Sequence, residues 1–399
     1  MPEMAVYIAE GAYRDFIPYN LELAEGFSQI FRGELTVLTN TKHTHEELLQ
    51  ILDQRISVTV SQTLEDGKTK RTRWVHGIVT GIKSSGFFGS GTNGCYSHTL
   101  IIEPALARLR FTQSTESFYQ KTPAETIKAM LDKHALDAQF PHEYFTRVYS
   151  KKLMFEQHGT SDLDFIRGIL NLYGISFTFQ HKKASQGELG EDALFFTEGD
   201  MFPVSEFAYS DKRAVPAVAQ FDFHASREGQ NIWKMDAWAM TDAIGVDGLE
   251  LSAAYPNANY GSDNWSAGIT GRGKRRLTYT HIFHGYQQDT DTQEIDQDID
   301  LTLQAWYCSR QIAKSCRAGE ASNLLLAPGC AFNLSRFYGN EDTAKISALV
   351  SAAILHCRTA WPSSLGVSPR EEEVGEALAV KAQCMNYGGE TDKRFVSSR

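Results

Sequence analysis

The amino-acid sequence predicts an α+β protein, mostly antiparallel β, laid out in three successive regions. Strand signals fill about the first hundred residues, capped helices follow Pro104, and the strand pattern returns from about Val215. A chain of 399 residues, 42% of them hydrophobic, is long enough for two or three domains with a core in each.

The first region reads as strands. Ile56-Ser57-Val58-Thr59-Val60 alternates with period two, and β-branched and aromatic residues crowd Ile30 to Leu38 and Trp74 to Ile82. Turn signals stand between them at Glu65-Asp66-Gly67-Lys68 and from Gly86 to Gly94, with one short helical stretch from Glu46 to Leu52. Short strands punctuated in this way predict a small barrel or sandwich. In the second region Thr122-Pro123-Ala124-Glu125 combines an N-cap, a proline at the first helical position and a capping-box glutamate, so a helix should run to about His134. A second helix should start at Thr160 or Ser161, carry Leu163, Ile166, Leu170 and Tyr173 on one stripe, and stop at a left-handed Gly174. Ile175 to Phe179 then alternates as a strand.

In the third region Val218 to Phe223 and Ile232 to Trp238 are candidate strands, and the Gly/Asn/Ser-rich stretch from Tyr255 to Gly273 reads as largely loop, of a length that suggests function or an interface. Ile299, Leu303, Trp306 and Arg310 predict a long helix over Asp298 to Ala318, ending before Gly319. Leu324 to Leu334 should return to strand around the turn Pro328-Gly329. The tail from Ser363 to Glu376 is polar, and GGETDKRFVSSR at the end reads as frayed.

Charge and composition exclude several functions. Lys+Arg 39 against Asp+Glu 49 gives a net charge of −10, which offers no general attraction to nucleic acid or anionic lipid. No apolar run approaches the roughly 18 residues of a bilayer span, and the longest, Ile346 to Cys357, is interrupted by Ser347, Ser351 and His356. The start MPEMAVYIAE has no signal-peptide character, so cytoplasmic residence, or exit by a route other than general secretion, is expected. Cysteines at 95, 308, 316, 330, 357 and 384 have no zinc-knuckle spacing and are too sparse for a disulfide scaffold, which favours reduced thiols. An acidic run from Asp289 to Asp300 and a basic one at Arg272, Lys274, Arg275 and Arg276 read as solvated faces, or as opposite patches that pair across subunits.

Motifs with chemistry are few. Gly89-Ser90-Gly91-Thr92-Asn93-Gly94 spells G-x-G-x-x-G, but that fingerprint needs a helix N-terminus at its end to hold a pyrophosphate, and Cys95 to Glu103 reads as strand. A hairpin loop is the better reading. His281 with His284, and His43 with His45 beside Glu46 and Glu47, lack a third donor at metal-ligand spacing. Asp162 and Asp164 fall in the first turn of a helix, where the dipole favours carboxylates. G-x-S-x-G, H-E-x-x-H and G-x-x-x-x-G-K-[ST] do not occur. The sequence therefore assigns no catalytic, cofactor, metal or interface residue.

Two passages carry a family resemblance. Cys95-Tyr96-Ser97-His98-Thr99-Leu100-Ile101-Ile102-Glu103-Pro104-Ala105-Leu106-Ala107-Arg108-Leu109, with Phe118 to Pro123 after it, and Phe155 to Ile166 running on through Tyr173-Gly174-Ile175-Ser176-Phe177-Thr178-Phe179, resemble the VgrG spike proteins. Trp74-Val75-His76-Gly77-Ile78-Val79 upstream and Leu326-Ala327-Pro328-Gly329-Cys330-Ala331-Phe332-Asn333-Leu334 downstream resemble two further segments of that family in the same order.

The resemblance implies two tube-type β-barrel domains, 1–105 and 213–399, with an α+β insertion over 106–212 decorating the first. It implies a homotrimeric hub of a contractile injection system, a type VI secretion spike base or a phage or prophage tail baseplate hub. Expected partners are further copies of the chain, an Hcp-type hexameric inner tube, baseplate proteins and a separate spike or effector. The machine would assemble in the cytoplasm and then export the hub. No enzyme activity and no cofactor are implied, since a mating surface needs shape and polar complementarity rather than a nucleophile. Family members continue into a small oligonucleotide-fold-like barrel and a needle; this sequence ends at Arg399 before either, so the hub region alone is expected, natural or truncated. The alternative from another class is a glycan-binding or hydrolytic β-barrel module using the loop from Tyr255 to Gly273.

Overall fold

A computed structural model describes residues 2–9, 13–63, 70–90, 93–139, 145, 147–149, 151–184 and 188–198, then 219–222, 232–239, 245–252, 259–260, 265–266, 276–283, 315–321, 324, 326–329, 331–335, 346–365 and 377–386. The fold is mostly antiparallel sheet with few helices.

The first region supplies β1 (Pro2–Ile8), β2 (Ile17–Gly26), β3 (Arg32–Thr39), the short helix α1 (His45–Leu49), β4 (Arg55–Thr63), β5 (Lys70–Ser90) and β6 (Asn93–Glu103). They pair in the order β1-β4-β5-β6-β3-β2, each pair antiparallel. Alternation explains the faces: Leu21, Leu23, Leu35, Val58, Val60 and Val75 fill the core. Gly77 sits where strands approach closely, since a Cβ there would lie 2.5 Å from the Glu103 carbonyl oxygen.

After a 3-10 turn at Ala105–Arg110 come β7 (Gln113–Lys121), α2 (Pro123–Lys133), β8 (Ala138–Gln139), β9 (Lys152–Ser161), α3 (Asp162–Tyr173), β10 (Ile175–His181) and β11 (Asp192–Glu198). Both helices keep the ends their sequence expects. Thr122 and Glu125 close a reciprocal capping box on α2, Ser161 caps α3, and Gly174 ends it at φ 62° with its N–H on the Leu170 carbonyl. The unit has its own core, where Ile127, Met130, Leu131, Ile166, Leu170 and Tyr173 meet Phe177 and Phe196.

The third region gives β12 (Ala219–Asp222), β13 (Ile232–Ala239), β14 (Gly245–Ser252), β15 (Asn259–Tyr260), β16 (Trp265–Ser266), β17 (Arg276–Phe283), β18 (Ser315–Ala321), β19 (Ala331–Ser335), β20 (Ile346–Arg358) and β21 (Ala377–Asn386). The first sheet continues straight into it: β2 accepts β20, followed by β21, β18 and β13, while β19 and β12 branch from β20, for 12 strands in all. Asn20 thus pairs with Arg358 and Gly26 with Ala352. Leu324, Leu326, Val350, Leu355 and Val380 consequently share one core with Leu21 and Val75.

Three expectations change. The helix expected over Asp298 to Ala318 lies outside the described residues up to 314, and its end, Ser315 to Ala318, is strand β18 held between β13 and β21. Sheet pairing there overrides helical periodicity. The strand expected from Leu324 begins only at Ala331, because Gly329 turns the chain at φ 89° and the Leu324 and Leu326 carbonyls are taken by Arg73. Within the expected loop from Tyr255 to Gly273, the short strands β15 and β16 pair with β14, which also runs parallel to β17. The tail after 365 is described only as β21, and 388–399 lie outside the described residues.

Candidate functional site: the seam between sheet and inserted unit

Period two places Ser57 and His76, direct partners in the β4–β5 register, on the face away from Val58 and Val75. A polar face of this kind normally meets water. Here Ser57 is 1% and His76 0% exposed, because the β10–β11 hairpin closes over them. β6 pairs with β5 only from Ile78 onward, so the His76 N–H lacks a ladder partner and donates instead to His181 Nδ1 at 3.0 Å. The His76 ring is held on both sides: Nε2 lies 2.6 Å from the Lys182 carbonyl oxygen and Nδ1 2.8 Å from Ser57 Oγ, which also accepts the Gly190 N–H at 2.9 Å. A carbonyl only accepts, so Nε2 carries the hydrogen and Nδ1 accepts from Ser57. Arg55 completes the seam with a 2.6 Å bond to the Gly190 carbonyl, and a Cβ at Gly190 would stand 2.2 Å from the His76 ring. At the far end of β10, Ser28 donates its N–H to Phe177 O at 2.8 Å.

Beside the seam lies a buried ion pair. Glu25 follows Leu21 and Leu23 on one face of β2, Arg73 shares the face of Val75, and Arg73 donates both to the Glu25 carboxylate and to the Leu324 and Leu326 carbonyls at 3.2 and 3.3 Å. Burial alone would raise the Glu25 pKa, but the Arg73 charge and His181 outweigh it and hold the carboxyl below its ordinary range. His181 Nε2 lies 3.4 Å from Glu25 Oε1, within ion-pair reach but outside hydrogen-bond geometry. Glu25, Arg73 and His181 border a small cleft with Gln29, Phe31 and Trp74. Four segments meet here, β2, β5, β10 and the turn before β19, so the arrangement ties the inserted unit to both ends of the chain.

Inside the inserted unit Asp162 does more than favour a helix dipole. Its buried carboxylate accepts from Ser114 and Gln157 at 2.8 Å and from His134 at 2.6 Å, joining β7, β9 and the end of α2 to the start of α3. Burial raises its pKa, yet these bonds win and bring it to about 2. Asp164 remains at the surface and accepts the Ser161 hydroxyl.

The other sequence candidates are not gathered. Gly89 to Gly94 forms the tip of the β5–β6 hairpin, where Gly89 pairs with Gly94 and Ser90 with Asn93, and 91–92 lie outside the described residues. His43 bonds Asp15, and His45 opens α1, whose capping box uses Glu47. His281 is in β17, while His284 and the charge runs at 272–275 and 289–300 lie outside the described residues. Among the described residues no cluster of three His, Cys, Asp or Glu side chains is placed to hold a metal, and no helix is long and apolar enough to cross a membrane. Cys95 and Cys357 are buried thiols.

Residues 24–360 match the model of the phage tail baseplate hub (GPD). The chain belongs to this family. Over 155 residues it is 29% identical to two type VI secretion system spike proteins of Pseudomonas aeruginosa, VgrG2a and VgrG2b, a match spanning 37% of this chain but only 17% and 14% of theirs. The fold is that of solved tail and spike proteins. The tail protein of Neisseria meningitidis superposes with TM-score 0.56 at 10% identity, covering 97% of each chain. The E. coli c3393 protein, a type VI secretion component similar to T4 tail proteins, gives 0.55 at 12% over 96% of this chain and 77% of its own. A chain of the Francisella PdpA-VgrG complex gives 0.55 at 11%, over 97% and 58%. The protein is a VgrG-like hub of a structural hub and spike family.

Proposed function

We propose that this chain is the homotrimeric hub of a contractile injection machine, seated between a hexameric Hcp-type inner tube and a piercing spike, and helping to deliver effectors. One observation carries the reading: β2 and β20, more than 300 residues apart in sequence, are neighbours in a 12-stranded sheet. A hub transmits thrust, and hydrogen bonds shared across such a sheet let strands from both ends of the chain resist displacement together. The division into barrels at 1–105 and 213–399 with an insertion at 106–212 belongs to this proposal, as do baseplate contacts and a separate spike or effector partner. So do assembly in the cytoplasm, export by the machine, and a role without catalysis. Co-expression with an Hcp-type tube protein tests it: the two are expected to co-purify in a complex that survives dilution, and the absence of any association would count against the tube-seating role.

A further inference from the structure

We propose that the seam is a proton-operated latch, closed while the His76 imidazole is neutral and opened, with the inserted unit released from the sheet but still folded, when His76 takes up a proton. This rests on the seam geometry and not on the assembly proposed above. Both ring nitrogens of His76 are committed. Nε2–H is spent on the Lys182 carbonyl, and Nδ1 receives the Ser57 hydroxyl. A proton at Nδ1 reverses that second bond. Ser57 Oγ, already accepting the Gly190 N–H, must then accept again, and its own hydrogen is turned away from its acceptor inside a closed seam.

The charged groups around the ring do not relieve this. His181 on β10 and Arg55 on β4 both disfavour an imidazolium here, and on the hairpin the Lys182 carbonyl bond, already made by the neutral ring, and Glu191 favour it. Glu191 is exposed and paired with Lys182 at 3.0 Å, so its field at His76 is screened. Burial, followed by His181, accordingly holds His76 at about 4 against an ordinary 6.5. In an open seam the ring would regain its ordinary basicity. Between those two pH values the open form binds the extra proton, and opening becomes easier as pH falls.

The inserted unit has the means to survive release. Its core is built from its own residues, with Ile30 packed on it from the β2–β3 connection and Phe179 shared with the sheet core; the Asp162 ties are internal, and Asp162 stays ionised through this range. Among the described residues, four of the polar bonds that cross to the sheet converge on His76 and Gly190, while Ser28 with Phe177 and Arg108 with Asp53 cross elsewhere.

Hydrogen exchange on the full chain from pH 7.5 to 4.5, corrected for intrinsic rates, tests the latch. Protection of the His76 and Gly190 amides is expected to fall by up to about tenfold per pH unit below 6.5, while amides of α2, α3 and β20 keep theirs. In H76Q, whose side chain can make both bonds but cannot titrate, that pH response should vanish. The same fall in H76Q, or seam protection constant across the range, would overturn the proposal. Nitrogen NMR of the wild-type imidazoles gives a second readout should H76Q fail to fold: His76 is expected as the neutral Nε2–H tautomer at pH 6 in the closed seam, and an imidazolium there would overturn it equally.

Discussion

The sheet and the inserted unit are held by opposite strategies. In the inserted unit the decisive contacts are short in sequence: the capping box of α2 spans three residues, and Asp162 gathers partners from within 48 positions. In the sheet they are long: Arg73 reaches the Leu324 and Leu326 carbonyls across 251 and 253 positions, and β2 pairs with β20. Local contacts close cheaply and can order a segment by themselves, whereas the sheet forms only once the chain ends have met. The difference teaches that the β7–β11 region is ordered mainly by its own near contacts, and that the large sheet is a joint product of early and late strands.

Four substitutions sharpen or break this contrast. The largest effect is expected from Glu25→Ala, which strands the buried Arg73 charge and should cost about 3–5 kcal/mol of global stability in denaturant unfolding. If instead only β10–β11 loosened, the claim that this pair binds both chain ends would fail. Asp162→Asn comes next and should be confined to the inserted unit. Its folded carboxyl titrates at about 2 against an ordinary 3.8, so the stabilisation is complete above the ordinary value and is lost as pH falls through about 2. The group thus contributes about 2–3 kcal/mol at neutral pH, and the variant should lose much of that and the matching acid dependence.

Gly190→Ala drives a methyl into the His76 ring and should cost about 1–3 kcal/mol, read as loss of protection along the seam while both cores keep theirs. Thr122→Ala removes one half of a capping box and should cost about 1 kcal/mol, with increased exchange limited to the first turn of α2.

The same contrast sets what could be read from sequence. The ends of α2 and α3 were legible because Thr122, Glu125, Ser161 and Gly174 act on their immediate neighbours. The strand β18 was not, since what makes Ser315 to Ala318 extended is pairing with β21 and β13, and neither is visible in its own periodicity. The seam left only faint signals. Glu25 and Arg73 occupy core positions of two strands, opposite charges where alternation calls for apolar residues, and Ser57 and His76 look like an ordinary wet face. That face is dry because of a hairpin more than 100 residues further along the chain, and spacing within β5 carries no trace of it.

A hub whose strands come from both ends of the chain is expected to complete its ring with further copies of itself. Light scattering of the full chain over a wide concentration range addresses this most directly. A species at three times the chain mass of 44.6 kDa, persisting on dilution, is expected. A strict monomer at every concentration, unchanged by a tube protein, would contradict it.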